Sequence, residues 1–310
     1  MSAHESMIAD AVERMFAEAM PSRGVDTTLW ATLVEAGVPR LLRPESQGGA
    51  GDAWRDAAGV LQAAGRHAAS VPLADTLLAH ALLAQAGLDA DGRPIRLAVA
   101  GPDGRPDPAD ADALPGAHRL VLQPWGEAAR CIWMESDGAP AYEFELPDAP
   151  RVRARLALAG ASMLTGALRT AIDMGVEYAG LRKAFGRPIG QFQAVQHPLA
   201  VAAEDVAASR AALDWAAAGL ETGGSSGEVA AAVAKARAAE AAGRVAAIVH
   251  QVHGAIGFTA EHALHRSTRL LWHWRDRWGD EHDWHALLGA RALAAGPQGL
   301  FDLLDGVESR

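Results

Sequence analysis

From Glu5 to about Gly87, leucines recur at three- and four-residue spacing in Ala-rich stretches punctuated by Pro21, Gly24, Gly37 and Gly48-Gly49. That period predicts helices with one buried face. Asp26-Thr27-Thr28-Leu29-Trp30 reads as an N-cap followed by an apolar face, because a short oxygen-bearing side chain can satisfy the first free amides. The run from Arg43 to Gly51 breaks the pattern as a glycine-rich turn, without the strand-to-helix context of a GxGxxG loop. Between Ile95 and Leu146 the texture changes to short, partly alternating runs at 95–99, 119–122, 131–134 and 142–146. These predict a small antiparallel sheet. The Asp/Pro/Gly-rich stretch 101–116 has nothing to bury and reads as a loop. From Val152 onward, Leu156, Met163, Ala167, Met174, Tyr178 and Leu181 line one face of a helix of roughly 30 residues. A second helix is expected over about 195–220, closed by a loop at 221–227, and a third over about 228–253, stopped by Gly254 and Gly257. A last one begins near Trp284. Long helices joined by short loops make a bundle. The expected fold is therefore mainly α with a small β domain: a helical domain over 1–90, a reduced sheet over 91–150 and a helical bundle over 151–310.

Composition narrows the function. The chain has 310 residues, 50% hydrophobic and 21% charged, which excludes disorder over most of its length. Twenty-eight basic against 38 acidic side chains give −10, no electrostatic footprint for duplex nucleic acid or an anionic membrane. A single cysteine, Cys131, excludes an internal disulfide framework and a multi-cysteine zinc site. The first ten residues carry no basic and apolar leader pattern, and no run of about 18 apolar residues occurs. A cytoplasmic, soluble protein is the expectation.

Chemistry concentrates in Arg182-Lys183-Ala184-Phe185-Gly186-Arg187-Pro188-Ile189-Gly190-Gln191-Phe192-Gln193. A helix is expected to end at Phe185-Gly186, with Arg182, Lys183 and Arg187 on and beside its last turn. Those cations either complement the helix dipole or form an anion-binding corner. His282 and His285 lie one helical turn apart, too weak a frame for a metal site, and none is expected. Trp272, Trp274, Trp278 and Trp284 fall within 13 residues, as core or as anchors of a subunit interface. Trp125 and Trp133 read as sheet core.

The 182–197 segment closely resembles the signature of the acyl-CoA dehydrogenase family, flavoproteins that desaturate acyl-CoA thioesters between the α and β carbons. Gln251-Val252-His253-Gly254-Ala255-Ile256-Gly257-Phe258-Thr259-Ala260-Glu261 is similar to the family's other C-terminal motif. Trp30, Glu35-Ala36-Gly37, Pro44-Glu45 and Gly48-Gly49 resemble its N-terminal helical domain. The resemblance implies an α domain, a β domain and a four-helix bundle. It implies FAD, with Arg182 on the pyrophosphate, Phe185 and Gln193 at flavin-contacting positions, and Gln251 and Gly254 beside the adenosine half. In the family these groups serve FAD bound mainly by a neighbouring subunit, so a hetero- or homo-oligomer is implied too. The family's Thr-Glu-Pro and Gly-Ser-Asp flavin-ring motif has no counterpart between Leu88 and Pro150. Its catalytic glutamate falls here on Trp278, with Asp280 and Glu281 as displaced substitutes; its alternative position falls near Leu156. The reading that follows is a shortened subunit whose fuller partner supplies the flavin-ring site, acting on an acyl-CoA, with bulky or steroid-derived acyl groups as the suggested class and electron-transfer flavoprotein as acceptor. The alternative is a non-catalytic scaffold of the same fold that holds little or no flavin.

Overall fold

The computed structural model describes residues 3–19, 24–100, 116–124 and 126–305. The expected loop over 101–115 and Trp125 lie outside these residues. Helices α1 (Ala3–Glu18), α2 (Thr27–Glu35), α3 (Trp54–Arg66) and α4 (Leu73–Gln85) come first. Asp26 caps α2 as expected, its carboxylate accepting from the Thr28 and Leu29 amides. The Arg43–Gly51 stretch is a turn around a short 3-10 segment, with Gly48 and Gly51 both at positive φ.

The sheet runs in the order β1 (Ile95–Val99), β2 (His118–Gln123), β3 (Ala128–Met134), β4 (Pro140–Pro147). It is mixed, not antiparallel throughout: β1 lies parallel to β2, with Ile95 opposite His118, while β2–β3 and β3–β4 are antiparallel. Tight turns force antiparallel pairing. The long connection between β1 and β2 leaves room for a crossover instead, and periodicity carries no record of it. Trp133 is buried in this sheet, as expected.

Helix α5 (Ala149–Leu181) then enters the bundle with α6 (Gln193–Thr222), α7 (Ser225–His253), α8 (Leu264–Asp276) and α9 (Glu281–Asp305, kinked at Gly296-Pro297). Two boundaries shift from expectation. Only Gly223-Gly224 separates α6 from α7, because Ser225 and Ser226 already form the first turn of α7. Helix α5 stops at Leu181, before Phe185-Gly186. The short α8 was not foreshadowed, since histidines and arginines interrupt its apolar stripe. Helix α7 sits at the centre, its alanines and valines from Val229 to Val249 buried nearly all round, as a helix enclosed by others must be. Helix α3 crosses α5 in backbone contact: a side chain at Gly65 would enter the Met163 carbonyl, and one at Gly166 the Gln62 carbonyl. One hydrophobic core runs through helices, sheet and bundle.

Candidate functional site

At one end of the bundle, α5 passes into a two-residue-per-strand hairpin, β5 (Lys183–Ala184) and β6 (Arg187–Pro188). The Arg182 amide still donates to the Tyr178 carbonyl, and the Arg182 carbonyl accepts from Ile189, which closes the hairpin. Phe185 (φ 52°) and Gly186 (φ 81°) form its tip, both in the left-handed region, as a two-residue hairpin turn requires. For phenylalanine that backbone is strained. The residue is 95% exposed, its ring meeting Phe192 edge-on at 6.2 Å. Arg187 stacks on Phe192 at 4.2 Å. Helix α6 starts at Gln193 with no side-chain cap on its free amides, and an uncapped helix N-terminus favours anions.

The second motif reaches the same end. Tyr178, one turn before Arg182, stacks on His253 at 4.5 Å. His253 packs against His262, and His250 stacks on Phe258 at 4.4 Å. The Nδ1 of His253 donates to the Val249 carbonyl at 2.7 Å; burial lowers the pKa of His250 and His253, keeping both neutral. Gly254 has φ 64° and ψ −144°, a backbone that glycine alone adopts readily. The resemblance-implied residues Arg182, Phe185, Gln193, Gln251 and Gly254 are thus all exposed at one end of the bundle. Among the described residues, Arg182, Lys183 and Arg187 meet no carboxylate. Unpaired guanidiniums, free helix amides, two amide side chains and a glycine suit the diphosphate and adenosine side of FAD. Nothing comparable in the described sheet suits the flavin ring.

The turn between α8 and α9 is different in kind. Trp278 (φ 59°) is buried, packed edge-on against Trp274 at 5.3 Å, with the Arg277 guanidinium over its ring at 4.6 Å. Arg277 donates through both terminal nitrogens to Asp75 on α4, and also to the Leu97 carbonyl on β1. Lys235 of α7, fully buried, donates through Nζ to the carbonyls of Arg275 (2.8 Å) and Gly279 (2.7 Å). The substitute acids have other roles. Asp280 is the N-cap of α9, accepting from the His282 and Asp283 amides at 2.8 and 3.0 Å. Glu281 forms a fork with Arg275 at 2.9 and 2.5 Å, and those bonds hold its carboxyl below the usual range. A general base buried beside substrate needs the opposite shift to that of Glu281. Leu156 is core. Of the four clustered tryptophans, Trp274, Trp278 and Trp284 are core and Trp272 lies at the surface under Arg275. His282 and His285 are exposed, and the described residues hold no group that could ligate a metal. No described helix is long and apolar enough to cross a membrane. Lys235 had escaped the motif reading; its one signal is rarity, since only it and Lys183 are lysines among 28 basic residues.

Residues 153–271 match the family model for the acyl-CoA dehydrogenase C-terminal domain. The chain is 35% identical over 264 residues to the acyl-CoA dehydrogenase IpdE2 of Mycobacterium tuberculosis, covering 78% of this chain and 80% of that one. It is 31% identical to the IpdE2 of Mycolicibacterium smegmatis, covering 80% and 85%. Among solved structures, the Tcur3481-Tcur3483 steroid ACAD superposes with a TM-score of 0.77 at 25% identity, covering 93% of this chain and 97% of that one. The ChsE4-ChsE5 complex of M. tuberculosis shares the fold at a TM-score of 0.78 and 23% identity, covering 96% and 99%.

Proposed function

The chain belongs to the acyl-CoA dehydrogenase family, and on that footing we propose that it works as one subunit of a hetero-oligomeric, FAD-dependent enzyme. The reaction is α,β-dehydrogenation of an acyl-CoA thioester, with bulky, steroid-derived acyl groups as the favoured class. The observation that carries this reading is the split between the two sites. A cationic corner with an exposed, strained phenylalanine stands ready for a dinucleotide, while the general-base position is filled by buried Trp278. Two of the solved relatives are named as pairs of chains, and the first of them as a steroid enzyme.

In this arrangement Arg182 binds diphosphate oxygens through its planar guanidinium, and Gln193 and Gln251 orient the dinucleotide by side-chain hydrogen bonds. Phe185 covers the flavin side from the hairpin tip, and Gly254 lets backbone approach the adenosine side. A fuller partner of the same family holds the flavin ring and contributes the glutamate that removes the α-proton. Held on its diphosphate side by Arg182, Gln193 and Gln251, the flavin would supply a hydride acceptor for the β-carbon, with an electron-transfer flavoprotein as the onward electron acceptor. The sealed turn also suits the second reading, a scaffold that keeps the fold without a cofactor role.

Co-expression with a dehydrogenase chain encoded beside it, followed by flavin stoichiometry, tests the proposal. The chain alone is expected to be colourless and the complex yellow and bleached by acyl-CoA. A chain that alone holds FAD and bleaches would contradict it, and an active complex indifferent to Arg182→Ala would favour the scaffold.

A further inference from the structure

Helices α5 and α8, strand β1 and the turn between α3 and α4 enclose a cavity of about 280 Å³. Val25, Val71, Met163, Leu270 and Trp274 give it apolar walls. The charged part of the lining sets Arg96 and Arg277 against one carboxylate, Asp75. That carboxylate is already engaged. Both of its oxygens accept from Arg277, and Oδ1 also accepts from the Leu97 amide. Arg96 approaches it only to 3.5 Å. Two guanidiniums facing one carboxylate leave the cavity with a positive charge in excess.

Arg96 is the group left unsatisfied. Its side chain is only 15% exposed, yet its guanidinium donates no hydrogen bond among the described residues, and its Nε is buried. A buried donor without an acceptor is costly, more so when charged. The sheet adds a second charge. Strands β1 and β2 are parallel with Arg96 opposite Arg119, so both side chains leave the same face of the sheet. Arg119 likewise has no carboxylate partner among the described residues. Like charges in register repel, and an anion beside them offsets that repulsion. On α8, Arg266 and Arg269 lie one turn before the cavity-lining Leu270 and His273. They are exposed and also meet no carboxylate among the described residues, a field that draws anions towards the cavity.

We propose that this cavity is a binding site for a small organic carboxylate with an apolar body: Arg96 binds the carboxylate, and Met163, Leu270 and Trp274 pack on the body. A planar guanidinium matches a carboxylate through paired hydrogen bonds. The apolar walls disfavour a bare inorganic anion, which would lose its water on those sides with no hydrogen bond in exchange. A thioester carbonyl carries no charge and would leave Arg96 unneutralised, so the ligand is an ionised acid. The site shares no residue with the 182–193 corner and requires neither flavin nor a partner chain. It can therefore fail while the subunit reading stands, and the reverse.

The test titrates hexanoate, its neutral counterpart hexanamide and inorganic phosphate separately into the full chain. Binding is followed by calorimetry and by the Nε–H resonance of Arg96, assigned by its loss in Arg96→Met. Hexanoate is expected to saturate at one per chain and to move that resonance, with hexanamide and phosphate each roughly tenfold weaker or more. Arg96→Met should weaken hexanoate by roughly tenfold or more, as the loss of a charge-assisted hydrogen bond does. Leu270→Trp keeps the guanidinium but fills the cavity from α8, and should weaken hexanoate too. Failure of hexanoate to saturate would overturn the proposal. So would equal affinity in Arg96→Met or Leu270→Trp, or phosphate or hexanamide binding as tightly as hexanoate.

Discussion

Arg277 shows what a single side chain does in this fold. It is 1% exposed, forks onto Asp75, reaches the Leu97 carbonyl and lies over Trp274 and Trp278. Helix α4, strand β1 and the α8–α9 turn therefore meet at one guanidinium. Breaking a buried pair by removing one partner costs about 3–5 kcal/mol, so Arg277→Ala should lower denaturant stability by that order; a loss under about 1 kcal/mol would deny it the role. Burial alone would raise the Asp75 pKa, but Arg277 and Arg96 outweigh it and lower it. The pair's stabilisation is therefore complete above the ordinary carboxylate range and fades as pH falls below about 4. Lys235 has the opposite signature. Its folded value near 7 lies under the free value of 10.5, so the unfolded chain binds more protons between them and stability should climb as pH rises from 7 towards 10. A denaturation series in which Lys235→Met keeps the same slope would remove Lys235 as the cause. None of this was legible in the sequence. Asp75, Lys235 and Arg277 lie far apart along the chain, and no spacing rule joins them.

Elements were the most readable level, for local reasons. Asp26 is followed by an apolar face and caps α2; Gly223-Gly224 and Gly254 end long helices where glycine tolerates the backbone they need. What escaped depends on partners distant in sequence. The parallel β1–β2 pair is one such case, and α8 is held by its neighbours more than by its own stripe, with Leu264, Leu271 and Trp274 buried but two histidines and two arginines between them. The α3–α5 crossing is likewise a tertiary fact, made of Gly65 and Gly166. Gly166→Ala should force the two backbones apart and destabilise the protein by about 1–3 kcal/mol, whereas Gly180→Ala, also on α5 but facing open space, should be neutral or better. Equal denaturation midpoints for the two variants would mean the helices do not need that contact.

At the scale of the whole molecule, the proposed function rests on two separate places in the fold, the 182–193 corner and the α8–α9 turn. The corner at 182–193 was legible because its chemistry is contiguous in sequence, although its tip is a hairpin turn and not the end of a helix. Trp278 stands out in the sequence where the resemblance expects a glutamate, but the Lys235 and Arg277 contacts around it do not. Phe185, at positive φ and almost wholly exposed, makes sense at this scale as a contact completed by something outside the chain. Phe185→Ala should weaken assembly of the complex while leaving the thermal midpoint of the isolated subunit within a degree or two; a large drop in that midpoint would make it a folding residue instead. The most direct test is FAD affinity in the assembled complex, measured by flavin fluorescence for wild type and Arg182→Ala. Losing one charge-assisted contact of about 1.5–3 kcal/mol should weaken FAD roughly 10- to 150-fold, with partial recovery in Arg182→Lys. An Arg182→Ala complex that binds FAD as tightly as wild type would contradict the account.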